Sequence, residues 1–158
     1  PEIADFQFRA SNTWLGGDHN RSTISSFRGA CDEQPHAKGP FVLDNAEPPL
    51  LLGEGKAANP VEYVLHALAG CLTTTMVYHA AARGIVIEDA RCELEGDLDL
   101  KGFLGMDSTV RKGFSVVRVR MQVKSEGDAE TLKSLAQFSP VYEMVSSSLP
   151  VEISIEKI

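Results

Sequence analysis

Apolar and polar positions alternate with a period of two toward both ends of this chain and follow a helical period in its middle. Ala4 to Trp14 alternates loosely, with Phe6 and Phe8 on one face, and predicts a strand. Leu15 to Asn20 is turn chemistry, and Arg21 to Phe27 predicts a second strand closing a hairpin on the first. Arg28 to Gly39 reads as a polar connection carrying Cys31 and His36. Pro40 to Asp44 reads as a short third strand, and Asn45 to Ala58 as a loop with Pro48, Pro49 and two glycines.

The middle stretch, Asn59 to Gly84, organises the rest. Asn59 can cap a helix, Pro60 suits the first helical position, and Glu62 places an anion in the first turn. Arg83 and Gly84 supply the stop. Between Glu62 and Arg83 there is no Asp, Glu, Lys or Arg. One apolar stripe runs Val61, Leu65, Leu68, Leu72, Met76; a smaller one runs Val64, Ala67, Cys71, Tyr78. A helix with no charged face must be covered by protein on nearly all sides. A chain of 158 residues has trouble doing so alone, so a second copy is expected to share the work. The stretch is long enough to raise a membrane span. Its many Ala, Thr and Gly residues, with His66 and His79 inside and amphipathic strands around it, argue against one.

Beyond Gly84, Ile85 to Leu100 is a long alternating run holding Cys92, with Gly96 marking a bulge or bend. Lys101 to Gly113 is a glycine-punctuated excursion. Phe114 to Lys124 is the clearest strand: Val117, Val119, Met121 and Val123 face one way, and Arg118, Arg120, Gln122 and Lys124 the other. Asp128 caps a helix to about Phe138, Ser139 and Pro140 restart it to near Ser148, and Pro150 opens a final strand through Val151, Ile153 and Ile155. The predicted order is β-β-β-α-β-β-α-β, an α+β fold of antiparallel sheet and helices. No linker divides it, so residues 1–158 are expected to form a single domain.

Composition narrows the function. A net charge of −7 argues against nucleic acid as a partner. No secretory signal, lipidation motif, metal-ligand spacing or nucleotide-binding glycine motif is present, so no cofactor is expected. Three irregularly spaced cysteines do not make a disulfide framework, which points to a reducing, cytoplasmic setting.

Cys71 is the leading candidate for chemistry. A mid-helix cysteine is commonly a small hydrophobe. To act as a thiolate nucleophile it needs a cation from another segment, because the helix dipole does not reach its middle. Arg21, His19 and His79 are the candidates. His79 lies about 12 Å along the helix from Cys71, too far for direct contact. Glu62 and Cys71, nine residues apart, lie about 13 Å apart and on opposite faces of one straight helix. A site using both needs two chains or a bend.

Asn59-Pro60-Val61-Glu62-Tyr63, then Leu68-Ala69-Gly70-Cys71-Leu72-Thr73 and Gly84, resembles the central helix of the OsmC/Ohr family, the osmotically inducible and organic hydroperoxide resistance proteins. The element order matches too. So does Ser139-Pro140-Val141 opening the late helix, where the family often has Cys-Pro. The resemblance implies an intertwined homodimer, with antiparallel sheets packed on a long buried helix. It also implies a thiol peroxidase that reduces organic hydroperoxides or hydrogen peroxide. By position, Cys71 attacks the peroxide, and Glu62 and Arg21 orient and activate it. In the family a second cysteine resolves the sulfenic acid. Here Ser139 stands at that position, so an external thiol must serve as reductant. Two further departures concern the activating pair. The peroxidase subgroups carry their acid directly after Asn-Pro, where this chain has Val61. Arg21 follows the Gly16-Gly17 turn by several residues. Ser139 and the shifted acid favour an alternative: a non-catalytic dimer of the same fold holding a small apolar ligand at its interface.

Overall fold

The computed structural model describes residues 2–147 and 149–155. In chain order these contain β1 (Gln7–Phe8), β2 (Ser11–Gly16), β3 (His19–Ile24), β4 (Ser26–Gly29), β5 (Asp32–Pro35), β6 (Phe41–Asn45), α1 (Pro60–Ala81), β7 (Ile87–Asp97), α2 (Leu100–Phe103), β8 (Val116–Ser125), α3 (Ala129–Ala136) and α4 (Pro140–Ser146). The fold is mixed α+β with antiparallel sheets. The chain forms two compact units, one ending at Tyr63 and the other starting at Val64.

The first unit holds two three-stranded sheets, β1-β4-β5 and β2-β3-β6. The expected hairpin is present but bent. Its first arm breaks between β1 and β2 and its second between β3 and β4, at matching heights, so the two halves join different sheets. The expected polar connection after Arg28 contains a further hairpin. Gly29 pairs with Asp32, and Ala30 and Cys31 form a two-residue turn at φ +50° and +67°. That left-handed geometry is usually announced by Asn-Gly, and Ala-Cys gives no such signal. Asp18 organises the loop after β6: its carboxylate accepts from the backbone N–H of Glu47 (2.8 Å) and of Glu54 (3.3 Å). A Cβ on Gly53 would sit 2.0 Å from the Glu47 carbonyl oxygen, so only glycine fits this close approach.

The second unit packs helices on one face of the β7–β8 ribbon. Leu68, Leu72 and Met76, one turn apart on α1, meet Leu132 and Ala136 of α3; Ala90, Leu94, Val117, Met121 and Val123 close the core from the sheet. The apolar stripe expected for α1 is therefore buried here from Leu68 onward. The smaller stripe is bare in the single chain, with Val64, Ala67 and Tyr78 exposed. α1 stops as expected at Gly84, which adopts φ +72°. The Ile85 N–H donates to the Ala80 carbonyl (3.0 Å) and the Gly84 N–H to that of Ala81 (3.1 Å), a Schellman closure.

Three details differ from the sequence reading. The bulge in β7 falls between Ile87 and Asp89, while Gly96 makes room for the Phe114 ring, 2.6 Å from where a Cβ would sit. The excursion after Leu100 includes α2, capped by Asp99, whose carboxylate accepts from the Lys101 N–H (2.9 Å). The expected final strand is not formed by Val151–Ile155: Val151, Ile153 and Ile155 are 75%, 82% and 87% exposed and join no ladder. Alternation shows which faces a strand would have but supplies no neighbour to pair with. The rest of that predicted strand, residues 156–158, and Ser148 lie outside the described residues.

Candidate functional site

In the second unit, Cys71 sits mid-way along α1, half-buried, on the turn between buried Leu68 and Leu72. Its Sγ lies 4.0 Å from Thr75 Oγ1, one turn on. Ser139 caps α4. Its hydroxyl accepts from the Tyr142 N–H at 3.1 Å, and the residue is only 1% exposed. Ser139 is thus a buried helix cap. Cys92 faces inward from β7, opposite Met121, with Thr73 beside its thiol. Burial pushes that thiol up from its ordinary range, more than the Thr73 contact lowers it. Thr73 and Cys71 are about 200° apart around α1. Cys92 and Cys71 therefore lie toward different sides of the helix. His79 does not serve the thiol: it stacks on Phe138 (ring centroids 4.5 Å) and meets Arg83 Nη1 at 3.2 Å.

The same unit contains a cavity of about 530 Å³. Its wall is largely apolar, including Leu72, Met76, Met121, Val123 and Leu132, with Tyr142 among the lining residues. Leu72 and Met76 turn toward it from α1; Cys71 is not part of its wall.

In the first unit, Arg21 stands on β3 directly opposite Asp44 on β6. The guanidinium forks onto the carboxylate, with Nε 2.6 Å from Oδ1 and Nη2 2.9 Å from Oδ2. The Arg21 hydrogen bond holds the Asp44 carboxyl at about 2, well below its ordinary value. His19 Nε2 is 3.4 Å from the same carboxylate, near enough for an ion pair but not aligned for a hydrogen bond. The Tyr63 hydroxyl donates to the Asp44 carbonyl at 2.8 Å. Asp44 thus ties β3, β6 and the first turn of α1 together.

Glu62 has a different partner. Its carboxylate accepts from the Asn59 N–H (2.8 Å), while Asn59 Oδ1 accepts from the Val61 N–H (2.8 Å). This is a reciprocal cap of α1. The Asn59 side-chain amide also donates to Glu47. Of the residues marked out by sequence, Arg21 and Glu62 therefore belong to one unit, and Cys71 and Ser139 to the other. Within the first unit the carboxylate gripping Arg21 is that of Asp44. Sequence reasoning missed Asp44 because its partner depends on the register between strands separated by residues 25–40.

The family model described as OsmC-like protein matches residues 53–154. Comparison with curated proteins finds no match. An OsmC-like protein from Mycoplasma pneumoniae superposes with a TM-score of 0.63 at 16% identity, covering 90% of this chain and 89% of its own. An OsmC-like protein of unknown function from Vibrio cholerae gives 0.64 at 16% identity, covering 90% and 94%. A Legionella pneumophila structure, described as an organic hydroperoxide resistance protein OsmC and predicted redox protein, gives 0.56 at 23% identity, covering 87% and 89%. These likenesses concern the fold, and the matched segment runs from the loop before α1 past Ser139. The chain belongs to the OsmC-like protein family.

Proposed function

We propose that this chain is a thiol-dependent hydroperoxide reductase of the OsmC type, acting in oxidative-stress defence as a cytoplasmic homodimer, with Cys71 as its peroxidatic residue. The observation that carries the reading is the position of Cys71. It lies within the family-matched segment, on the charge-free run of α1, and is half-buried rather than sealed in the core. The family and the hydroperoxide-resistance relative support a general OsmC-type role. The bare stripe of α1 beside Cys71 supports cover by a second copy.

In this reaction the Cys71 thiolate attacks the distal oxygen of the hydroperoxide. The O–O bond breaks, the alcohol leaves with a proton, and Cys71 becomes a sulfenic acid. Because Ser139 has no thiol, an external thiol condenses with the sulfenic acid, releasing water and leaving a mixed disulfide. A second external thiol then frees Cys71. Arg21 enters as the cation that favours the thiolate. Glu62 enters by resemblance as the acid, although its carboxylate is occupied in capping α1.

The test is single turnover. Reduced protein is mixed with stoichiometric cumene hydroperoxide or hydrogen peroxide, trapped with dimedone and mapped by mass spectrometry, with Cys71→Ser as control. Fast, selective adduct at Cys71 is expected. Slow labelling spread equally over Cys31, Cys71 and Cys92 would refute the proposal. That result would favour a second reading, a non-catalytic binder, for which the 530 Å³ apolar cavity is the supporting observation.

A further inference from the structure

Large apolar side chains left together in water are costly, and a cluster of them on one turn marks a surface that something else covers. In the second unit, between β7 and β8, Phe103, Leu104 and Met106 are 69%, 60% and 72% exposed, with exposed Gly105 between them. The segment that carries them is braced from within. The Leu104 N–H donates to the Leu100 carbonyl (2.8 Å) and the Met106 N–H to the Lys101 carbonyl (2.9 Å). Gly102 is buried, and a Cβ there would sit 2.4 Å from the Arg111 carbonyl oxygen, so the returning arm lies against the foot of the turn. The Asp107 carboxylate accepts from the Thr109 N–H (2.9 Å) and hydroxyl (2.7 Å). The apolar tip is therefore held out in a fixed place.

The charges beside the tip are mostly positive. Residues 100–113 hold Lys101, Arg111 and Lys112 against the single acid Asp107, in a chain whose net charge is −7. Lys101 lies 3.5 Å from Asp99, while Arg111 and Lys112 are exposed and form no ion pair among the described residues. At physiological salt a charge acts over about 8 Å, so a surface meeting the tip feels these cations more than acids elsewhere on the chain.

We propose that residues 100–113 dock this protein on an anionic lipid surface. Phe103, Leu104 and Met106 enter the boundary between headgroups and acyl chains, and Arg111 and Lys112 meet the lipid phosphates. A protruding turn of adaptable apolar side chains enters a fluid interface without a matching pocket, which a protein partner would have to supply. The long stems of Arg and Lys lie along that boundary while their charges stay among the headgroups. Docking of this kind needs no spanning helix. The inference goes beyond the peroxide chemistry and does not depend on it.

Vesicle flotation of the purified chain tests this. Wild-type protein should float with vesicles of phosphatidylcholine and phosphatidylglycerol, and about tenfold less with phosphatidylcholine alone or in high salt. Phe103→Ser with Met106→Ser, and separately Arg111→Glu with Lys112→Glu, should each lower binding by about tenfold or more. All four positions are exposed, so the thermal midpoint should hold in both pairs. Trp14 is the chain's only tryptophan, so in a Trp14→Phe, Phe103→Trp variant the indole reports on the tip alone, and lipids brominated on their acyl chains should quench it.

A wild type that does not float, equal flotation on both lipids, binding that survives both pairs of substitutions, or an indole left bright by brominated chains would each overturn the inference. So would a dimer that Phe103→Ser with Met106→Ser turns into a monomer in analytical ultracentrifugation while the wild type ignores vesicles, a result that assigns the tip to a second copy. The vesicle assay uses no peroxide, so its failure leaves the reading of Cys71 standing, and an unreactive Cys71 leaves the lipid surface standing.

Discussion

At the scale of single residues, the Arg21–Asp44 pair holds a carboxyl of the first unit well below its ordinary value. Because the fork lowers the Asp44 carboxyl to about 2, folding and deprotonation of this group favour one another. The sign follows directly. The stabilisation is fully present above the ordinary carboxyl value of about 4 and is lost as pH falls through about 2. Asp18, Asp97 and Asp128 are lowered too, through a backbone N–H, Arg118 and the Thr131 N–H respectively, so the acid limb has several contributors. Asp44→Asn should flatten the fall in thermal midpoint between about pH 4 and pH 2 relative to the wild type. Identical slopes in the two proteins would show that the pair does not couple to folding. The mid-helix place of Cys71 and the cap at Ser139 were legible at this scale, because a thiol in a charge-free helix and a Ser-Pro helix start carry their own local signals. Asp44 was not, since its significance comes from a strand it meets only after folding.

At the scale of elements, α1 was readable from end to end. Its start is written in Asn59, Pro60 and Glu62, its stop in Gly84, and every one of those signals is satisfied by a hydrogen bond or a fixed dihedral. The β4–β5 hairpin was not readable, because Ala30 and Cys31 occupy a turn that asks for Asn-Gly. L-residues in that region cost on the order of 1 kcal/mol each. Replacing the pair with Asn-Gly should therefore raise stability by about 1 kcal/mol, measured by urea denaturation with an unchanged slope. No gain would mean that the flanking contacts, such as the Arg9–Glu33 ion pair and the Ser26–Glu33 hydrogen bond, already hold the turn at no net strain. The bend that splits the first hairpin between two sheets was hidden for a similar reason. Period-two alternation reads the same on both sides of a break.

At the scale of the molecule, the division between the two compact units falls inside the first turn of α1, between Tyr63 and Val64, and not in a loop. No helix among the described residues is long and apolar enough to cross a membrane. The place of the boundary has a practical consequence for dividing the gene. A fragment ending at Tyr63 would keep the Asn59–Glu62 cap but lose the turns it caps, and a helix that short does not sustain its own nucleus. Two fragments split there should fail to reassemble into a functional protein when co-expressed. Two fragments split between Lys112 and Gly113, in the exposed stretch after α2, should complement each other, because α1 then stays whole in the first piece. Recovery of Cys71 reactivity from the first split and not the second would reverse that expectation. The seam between the two compact units is thus a poor place to cut, and a reporter or circular permutant built on this scaffold should leave α1 intact.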